Sequence, residues 1–313
     1  MLDLGLTPCD RVAVHLANSI EIILSYYACF KAGLIAVPIN TRFKSSEIDY
    51  VVTHSEAKAY IGHPDLFVDA AGATSHIPLR FLAGGDAPGT QSFNALLTPG
   101  TMRALPAVDL DAPAVVLYTS GTTARPKGVT HTHRSLEAMT HCATEVFFAN
   151  YDRFAVILPM VHIAALCGFL TSVRLEVPAV VLPFDPPAVL DAVEKHQITA
   201  LSAMPAIFRM LVEAQQAKPR QISSLRAFFV GGDSAPAVLH EQCRQLFGVT
   251  LFEVYGLTEG VPLTANSASA CRAGSLSKVI KNIDIRLVDS EGREVPRGEV
   301  GEVTARGPLI CTG

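Results

Sequence analysis

The residues best equipped for chemistry lie in the stretch 119–128, TSGTTARPKG, which follows a strand-like run, AVVLYTS, at 114–120. Gly121 lets the backbone turn and approach a ligand closely. Ser120, Thr122 and Thr123 offer hydroxyl groups, and successive N–H groups in such a loop form an anion nest. Lys127 adds a positive point charge suited to phosphate. Polyphosphate is the guest that this combination fits. The order differs from the Walker pattern, because here the lysine precedes its glycine. A second stretch, EVYGLTE at 253–259, closes a strand with an aromatic ring, a hydroxyl and the carboxylate of Glu259. Two more segments are candidates. LPMVHIAAL (158–166) presents His162 after a strand, and FFVGGDSAP (228–236) presents Gly231 and Gly232, which leave room for a flat ring. Ser234 is placed to cap the helix that follows.

The pattern around these segments alternates strand and helix. RVAVHL (11–16), LIAVPIN (34–40) and AKAYIG (57–62) read as strands. Between the first two, Ser19 opens a helix with Ile20, Ile23, Leu24, Tyr27 and Ala28 at helical spacing, and Gly33 ends it. Ser46, with Asp49 three residues on, reads as a capping-box start for a helix ending near His54. The region 64–111 is irregular and rich in Gly, Pro and Thr, so surface loops are expected there. After AVVLYTS come a helix near 133–147, a strand at 153–159, a helix near 163–173 and the strand AVVLP (179–183). A helix opened by Pro186 and Pro187, the strand 198–205, a helix from Ala206, strand 225–232, helix 236–247 and strand 250–256 complete the series. Repeated units of this kind build parallel sheets with helices on both faces. The loop at 119–128 would then lie beyond the carboxyl end of a strand, where open α/β sheets bind ligands. Past Gly260 the style changes to alternating runs with turn residues, which predicts antiparallel β structure in a separate small subdomain. His131 and His133 lack a third ligand nearby in sequence and read as the start of a helix.

Composition limits the function classes. At 49 % hydrophobic, 313 residues bury a large core. Charged residues make up only 17 % and the net charge is −4, which argues against a nucleic-acid binder. The apolar runs are far shorter than the roughly 18 to 20 residues of a spanning helix, so no integral membrane segment is expected. The N-terminus shows no signal peptide pattern. Seven scattered cysteines without a CxxC pair read as reduced thiols of a cytoplasmic protein, mostly core fillers.

The ordered string TSGTT-x-x-PKG resembles the phosphate-binding signature of the adenylate-forming superfamily, which includes acyl-CoA synthetases, firefly luciferase and peptide-synthetase adenylation domains. The other three segments occur in that superfamily's order, and GEVGEVTARGP (298–308) resembles its usual approach to a distorted β-barrel. The resemblance covers nearly the whole chain. It implies an α/β fold of two parallel-rich sheets flanked by helices, in αβαβα layers, with part of a small antiparallel barrel. The implied divisions are a first α/β subdomain at 1–150, a second at 151–262 and a partial barrel at 263–313. It implies nucleotide binding by Thr119, Ser120, Gly121, Thr122, Thr123, Lys127, Gly231, Gly232, Asp233, Glu253, Val254, Tyr255, Gly256 and Thr258. Tyr255 would stack on adenine, Thr258 would bond the α-phosphate, and Glu259, with Thr122, would hold Mg²⁺. His162, Phe208, Gly231 and Gly256 would border the acid, and Lys127, His162, Thr258 and Glu259 would carry the catalysis. Two positions depart from the pattern: Ala124 replaces a glycine, and Glu253 stands where glutamine is common.

The resemblance implies ligation of a small carboxylic acid to CoA at the expense of ATP, through an acyl-adenylate. A homodimer is left open. The superfamily's C-terminal lid domain, with its lysine, and several dozen N-terminal residues have no counterpart here, so a core fragment with impaired catalysis is expected. Two other outcomes stay open: a domain that loads a carrier protein, and a non-catalytic nucleotide-binding remnant. MPAIFRM (204–210) has no carboxylate to pair with an amino acid's amine, which favours an uncharged acyl or aryl acid.

Overall fold

The computed structural model describes residues 1–98, 100, 104–119, 125–147, 153–267, 271–272, 274–276 and 278–313, with backbone alone at 145–147. The chain divides into two compact units. One comprises Met1–Arg134, Pro159–Ile163 and Cys311–Gly313, the other Ser135–Leu158 and Ala164–Ile310.

The first unit contains β1 (Arg11–His15), α1 (Ile20–Ala32), β2 (Ile35–Pro38), α2 (Ser45–His54), β3 (Ala59–Gly62), α3 (Pro64–Ala70), β4 (Leu79–Leu82), β5 (Gln91–Ser92), β6 (Pro113–Thr119) and β7 (Lys127–Thr132). Its sheet runs in the order β5-β4-β3-β1-β2-β6-β7. All neighbours are parallel except β6 and β7. Strands β2 and β3 are buried at every position, as suits a sheet covered on both faces. The core gathers Val37, Ile39, Ile48, Val51, Tyr60 and Phe67.

Helix α1 follows the sequence signals. Ser19 accepts the Ile22 N–H, and Gly33 takes φ 68°, with its N–H on the Cys29 and Phe30 carbonyls. Helix α2 does not start as expected. Its N-cap is Lys44 rather than Ser46, because the Glu47 carboxylate reaches back to the Lys44 N–H at 2.9 Å. The stretch 64–111 is more regular than its composition suggests: Pro64 opens α3, and LRFL forms β4. At the far edge of the sheet, Thr130 of β7 donates its N–H to Gly313 and accepts the N–H of Thr312.

The second unit contains α4 (His133–Phe147, whose first two residues belong to the first unit), β8 (Phe154–Val156), α5 (Ile163–Arg174, whose first residue does likewise), β9 (Ala179–Val181), α6 (Pro186–His196), β10 (Ala200–Ala203), α7 (Pro205–Ala217), β11 (Ala227–Gly231), α8 (Ala237–Phe247), β12 (Thr250–Leu257), β13 (Gly260–Ala265), β14 (Lys278–Val279), β15 (Asp284–Val288) and β16 (Glu302–Arg306). Its sheet has the order β14-β13-β12-β11-β10-β8-β9. It is parallel from β9 to β12 and antiparallel from β12 to β14. Phe208, Leu211, Phe228, Val230, Leu239 and Cys243 form its core. Strands β15 and β16 make a separate antiparallel pair.

Two mostly parallel seven-stranded sheets with helices, plus a small antiparallel sheet, are the fold class that the sequence predicts. Ser234 does not cap α8, whose N-cap is Pro236. Among the described residues, no helix is long and apolar enough to cross a membrane.

Candidate functional site

The lysine loop connects two antiparallel strands rather than a strand and a helix. Thr119, the last residue of β6, pairs with Lys127, the first of β7, and Tyr118 pairs with Gly128. The sequence does not mark 127–132 as a strand, because its Lys, Gly and Thr residues carry no strong apolar alternation. Because β6 runs parallel to β2, this hairpin leaves the sheet at the carboxyl ends of the parallel strands. Lys127 is exposed, and among the described residues no carboxylate pairs with it. Ser120, Gly121, Thr122, Thr123 and Ala124 lie outside the described residues.

The hairpin stem is gripped by α2. The Tyr50 hydroxyl donates to the Pro126 carbonyl at 3.1 Å. The Tyr118 hydroxyl and His54 Nδ1 share a hydrogen bond of 2.8 Å. Burial, with the Tyr50 hydroxyl nearby, pushes the Tyr118 phenol up to about 12, so it stays protonated near neutrality. Sequence reasoning missed these three side chains, which are brought together only by sheet and helix packing.

His162 lies in a turn of the first unit, where its N–H bonds the Pro159 carbonyl. The turn is pinned through Met160, whose N–H donates to Asn18 Oδ1 at 2.8 Å and whose carbonyl accepts the Tyr26 hydroxyl at 2.7 Å. The imidazole is exposed. Desolvation by surrounding atoms, and then the Arg42 guanidinium, lower its pKa from 6.5, so the neutral ring is favoured.

In the second unit, Gly231 ends β11 opposite Val254. A methyl group at Gly231 would lie 2.7 Å from the Val254 carbonyl oxygen. That space is therefore used by the neighbouring strand. Gly232 takes φ 79° and Asp233 is exposed beyond it. Glu253 is buried, and its Oε1 accepts the Gly274 N–H at 2.9 Å and lies 3.1 Å from His240 Nε2. Tyr255 is half-buried on β12 and pairs with Thr264. Gly256 meets β13 closely: a methyl group there would stand 2.6 Å from Val261 Cγ2. Leu257 pairs with Gly260, so Thr258 and Glu259 form the two-residue tip of the β12–β13 hairpin. Glu259 is exposed, and no cation pairs with it among the described residues. Because β12 runs parallel to β11, Gly231–Asp233 and this tip share one end of the sheet. Phe208 is fully buried on α7 and stacks on Phe228 with ring centres 4.7 Å apart, a core position.

Each unit thus offers a charged group at the end of an antiparallel hairpin. Taken separately, a cation without a carboxylate partner among the described residues suits an anionic ligand such as phosphate, and a carboxylate without a cation partner suits a hard metal ion. Among the described residues no cluster of three or more His, Cys, Asp or Glu side chains could hold a metal by itself. The buried thiols of Cys29, Cys167 and Cys243 are each pushed up to about 12 by desolvation and are poor nucleophiles.

The family profile described as AMP-binding enzyme matches residues 1–313. The chain belongs to this family. It is 31 % identical over 314 residues to a 2-succinylbenzoate–CoA ligase from Bacillus licheniformis, covering 99 % of this chain and 63 % of that protein. It is 32 % identical over 316 residues to a feruloyl-CoA synthase from an Amycolatopsis species, covering 99 % of this chain and 62 % of that protein. The fold matches the crystal structure of a long-chain-fatty-acid–CoA ligase from Archaeoglobus fulgidus with a TM-score of 0.91 at 25 % identity, over 100 % of this chain and 66 % of that one. It matches ATP-bound MatB from Rhodopseudomonas palustris with a TM-score of 0.88 at 26 % identity, over 100 % of this chain and 63 % of that one. The chain therefore spans less than two thirds of the length of the ligase from Bacillus and of the synthase from Amycolatopsis.

Proposed function

We propose that this AMP-binding enzyme takes part in AMP-forming ligation of an uncharged acyl or aryl carboxylic acid to CoA. The observation that carries the reading is the placement of Lys127. It is an exposed cation without a carboxylate partner among the described residues, fixed in strand register at the carboxyl end of a parallel sheet. In this reading Lys127 and the loop N–H groups hold the β- and γ-phosphates. Tyr255 stacks on adenine, Thr258 donates to the α-phosphate, and Gly231, Gly232, Asp233, Glu253, Val254 and Gly256 shape the nucleotide site. His162, in its neutral form, borders the carboxylate. Phe208 acts on the acid only through packing.

Glu259 would hold Mg²⁺, with Thr122 as a second oxygen ligand. When bound, the ion neutralises negative charge that builds on the phosphates in the transition state. The residues of the chain orient the acid oxygen against the α-phosphate and stabilise the departing pyrophosphate. A relative that is a feruloyl-CoA synthase, and the lack of a carboxylate in 204–210, support the acid class. Four buried free cysteines accord with a reducing compartment, and we place the protein in the cytoplasm.

The test is calorimetric binding of MgATP, followed by acid-dependent ATP–pyrophosphate exchange across short, medium, long and aryl acids. The expected result is MgATP binding that Lys127→Ala weakens at least about tenfold, with acid-dependent exchange weak; exchange stimulated by one acid class would name that class and overturn the expectation of impaired catalysis. Absence of MgATP binding by the wild type would sink the reading.

A further inference from the structure

Helix α2 lies outside every segment that the motifs pick out, yet its last turns grip the stem of the lysine hairpin at several points. The Tyr50 hydroxyl donates to the carbonyl of Pro126, the residue just before Lys127. The Tyr50 ring carries the Arg125 guanidinium on its face, 5.8 Å from the ring centre. Tyr50 meets Tyr118 edge to face at 6.2 Å and stacks on His54 at 5.2 Å, one helical turn on. Tyr118 in turn lies over Gly128, the residue just after Lys127. A methyl group at Gly128 would stand 3.3 Å from Tyr118 Cζ and 2.9 Å from Val116 Cγ1.

The sequence explains why a clamp is needed. The strand ladder begins at the Thr119–Lys127 pair, so Pro126 is the first residue outside it. Proline has no N–H to extend the ladder. Its carbonyl still accepts, and the donor comes from α2. A lysine has a long, flexible stem, and the entropy lost on fixing its charge against a phosphate is large. Holding the backbone on both sides of Lys127 reduces what binding itself must order.

We propose that Tyr50 is a positioning residue for Lys127, acting through its hydrogen bond to Pro126 and its packing on Tyr118. The proposal rests on the reading of Lys127 as the polyphosphate cation. It assigns Tyr50 no contact with nucleotide. Its effect therefore scales with the phosphates that Lys127 holds and vanishes when the lysine is gone. General support of the fold would do neither.

Calorimetry with MgATP and with AMP, on the wild type, Tyr50→Phe, Lys127→Ala and the double variant, separates these cases. Tyr50→Phe keeps the ring and its packing and removes one hydroxyl, so it is suited to retain the fold. The expected result is a loss of MgATP affinity of about three- to tenfold in Tyr50→Phe, the range of one net hydrogen bond. AMP affinity stays within about a factor of two, and Tyr50→Phe adds nothing in the Lys127→Ala background. Equal losses for MgATP and AMP, additive losses in the double variant, or no loss in Tyr50→Phe would each overturn the positioning role and leave the reading of Lys127 standing. MgATP affinity unchanged by Lys127→Ala, or absent from the wild type, would overturn both together.

Discussion

At the residue scale, charge and burial separate the side chains proposed to meet ligands from those that build walls. Lys127 and Glu259 are exposed, whereas Phe208 is sealed in the core against Phe228. Phe208→Ala is therefore expected to lower stability by about 3–5 kcal/mol, read as a shift of the urea midpoint, before any change in acid preference can be measured. Gly231 is constrained by a backbone oxygen that cannot move aside. Gly231→Ala is expected to cost about 1–3 kcal/mol in the same assay, through displacement of β12. A cost near zero would mean that the two strands part more easily than their register implies. Both outcomes bear on how the glycine is understood: its first use in this chain is strand packing.

His15 gives the residue scale its pH dependence. It is buried on β1 with Nδ1 3.0 Å from the Tyr60 hydroxyl, and burial lowers its pKa from 6.5 to about 4. The unfolded chain takes up a proton at this position as the pH falls below 6.5, while the folded chain resists until about 4. The contribution to stability is thus complete above 6.5 and is lost progressively toward 4, by on the order of 3 kcal/mol. Urea unfolding of the wild type and His15→Leu at about pH 7.5, 6 and 5 checks this. The variant should show the flatter dependence over that window, and parallel curves would count against burial as the cause.

At the scale of elements, the turn that carries His162 is a small structure held by distant partners. Tyr26→Phe removes the hydroxyl that serves the Met160 carbonyl. The expected cost is about 1–3 kcal/mol of stability, and in the exchange assay the KM for the acid should rise more than that for ATP. Equal changes would detach this turn from the acid. Much of the element plan is legible in the sequence. Ser19 and Gly33 mark the ends of α1, and the apolar runs of β1, β2 and β3 announce buried parallel strands, because caps and covered strands are local properties. What escapes is set by contacts across the fold. Strand β7 exists because β6 offers its edge, not because KGVTHT is a strong strand sequence. The cap of α2 moves to Lys44 because a glutamate happens to reach it. Asn18 and Tyr26 hold a turn that is far away in sequence, and Tyr50, His54 and Tyr118 meet only after α2 has packed.

At the scale of the whole molecule, ligand binding and stability are one quantity. Each unit has its own core, and the proposed reading gives the protein a nucleotide ligand. MgATP at about a hundred times its Kd is expected to raise the unfolding free energy by about 2.7 kcal/mol. A thermal melt should move accordingly, and most of that shift should disappear when EDTA removes the magnesium ion. A melt indifferent to MgATP would contradict nucleotide binding by the folded chain. A shift that survives EDTA would contradict the role given to Glu259.

The hydrogen bonds between Thr130 and the residues Thr312 and Gly313 tie the last residues of the sequence to the lysine hairpin's own edge. Lys127 begins the same strand three residues earlier, roughly 10 Å away along it. A fluorophore on a cysteine introduced at position 313 would sit on the order of 10 Å from that lysine, near enough to respond when a charged ligand binds there. The natural fold thus supplies an attachment point for an optical reporter, with which occupancy of the hairpin could be followed in real time.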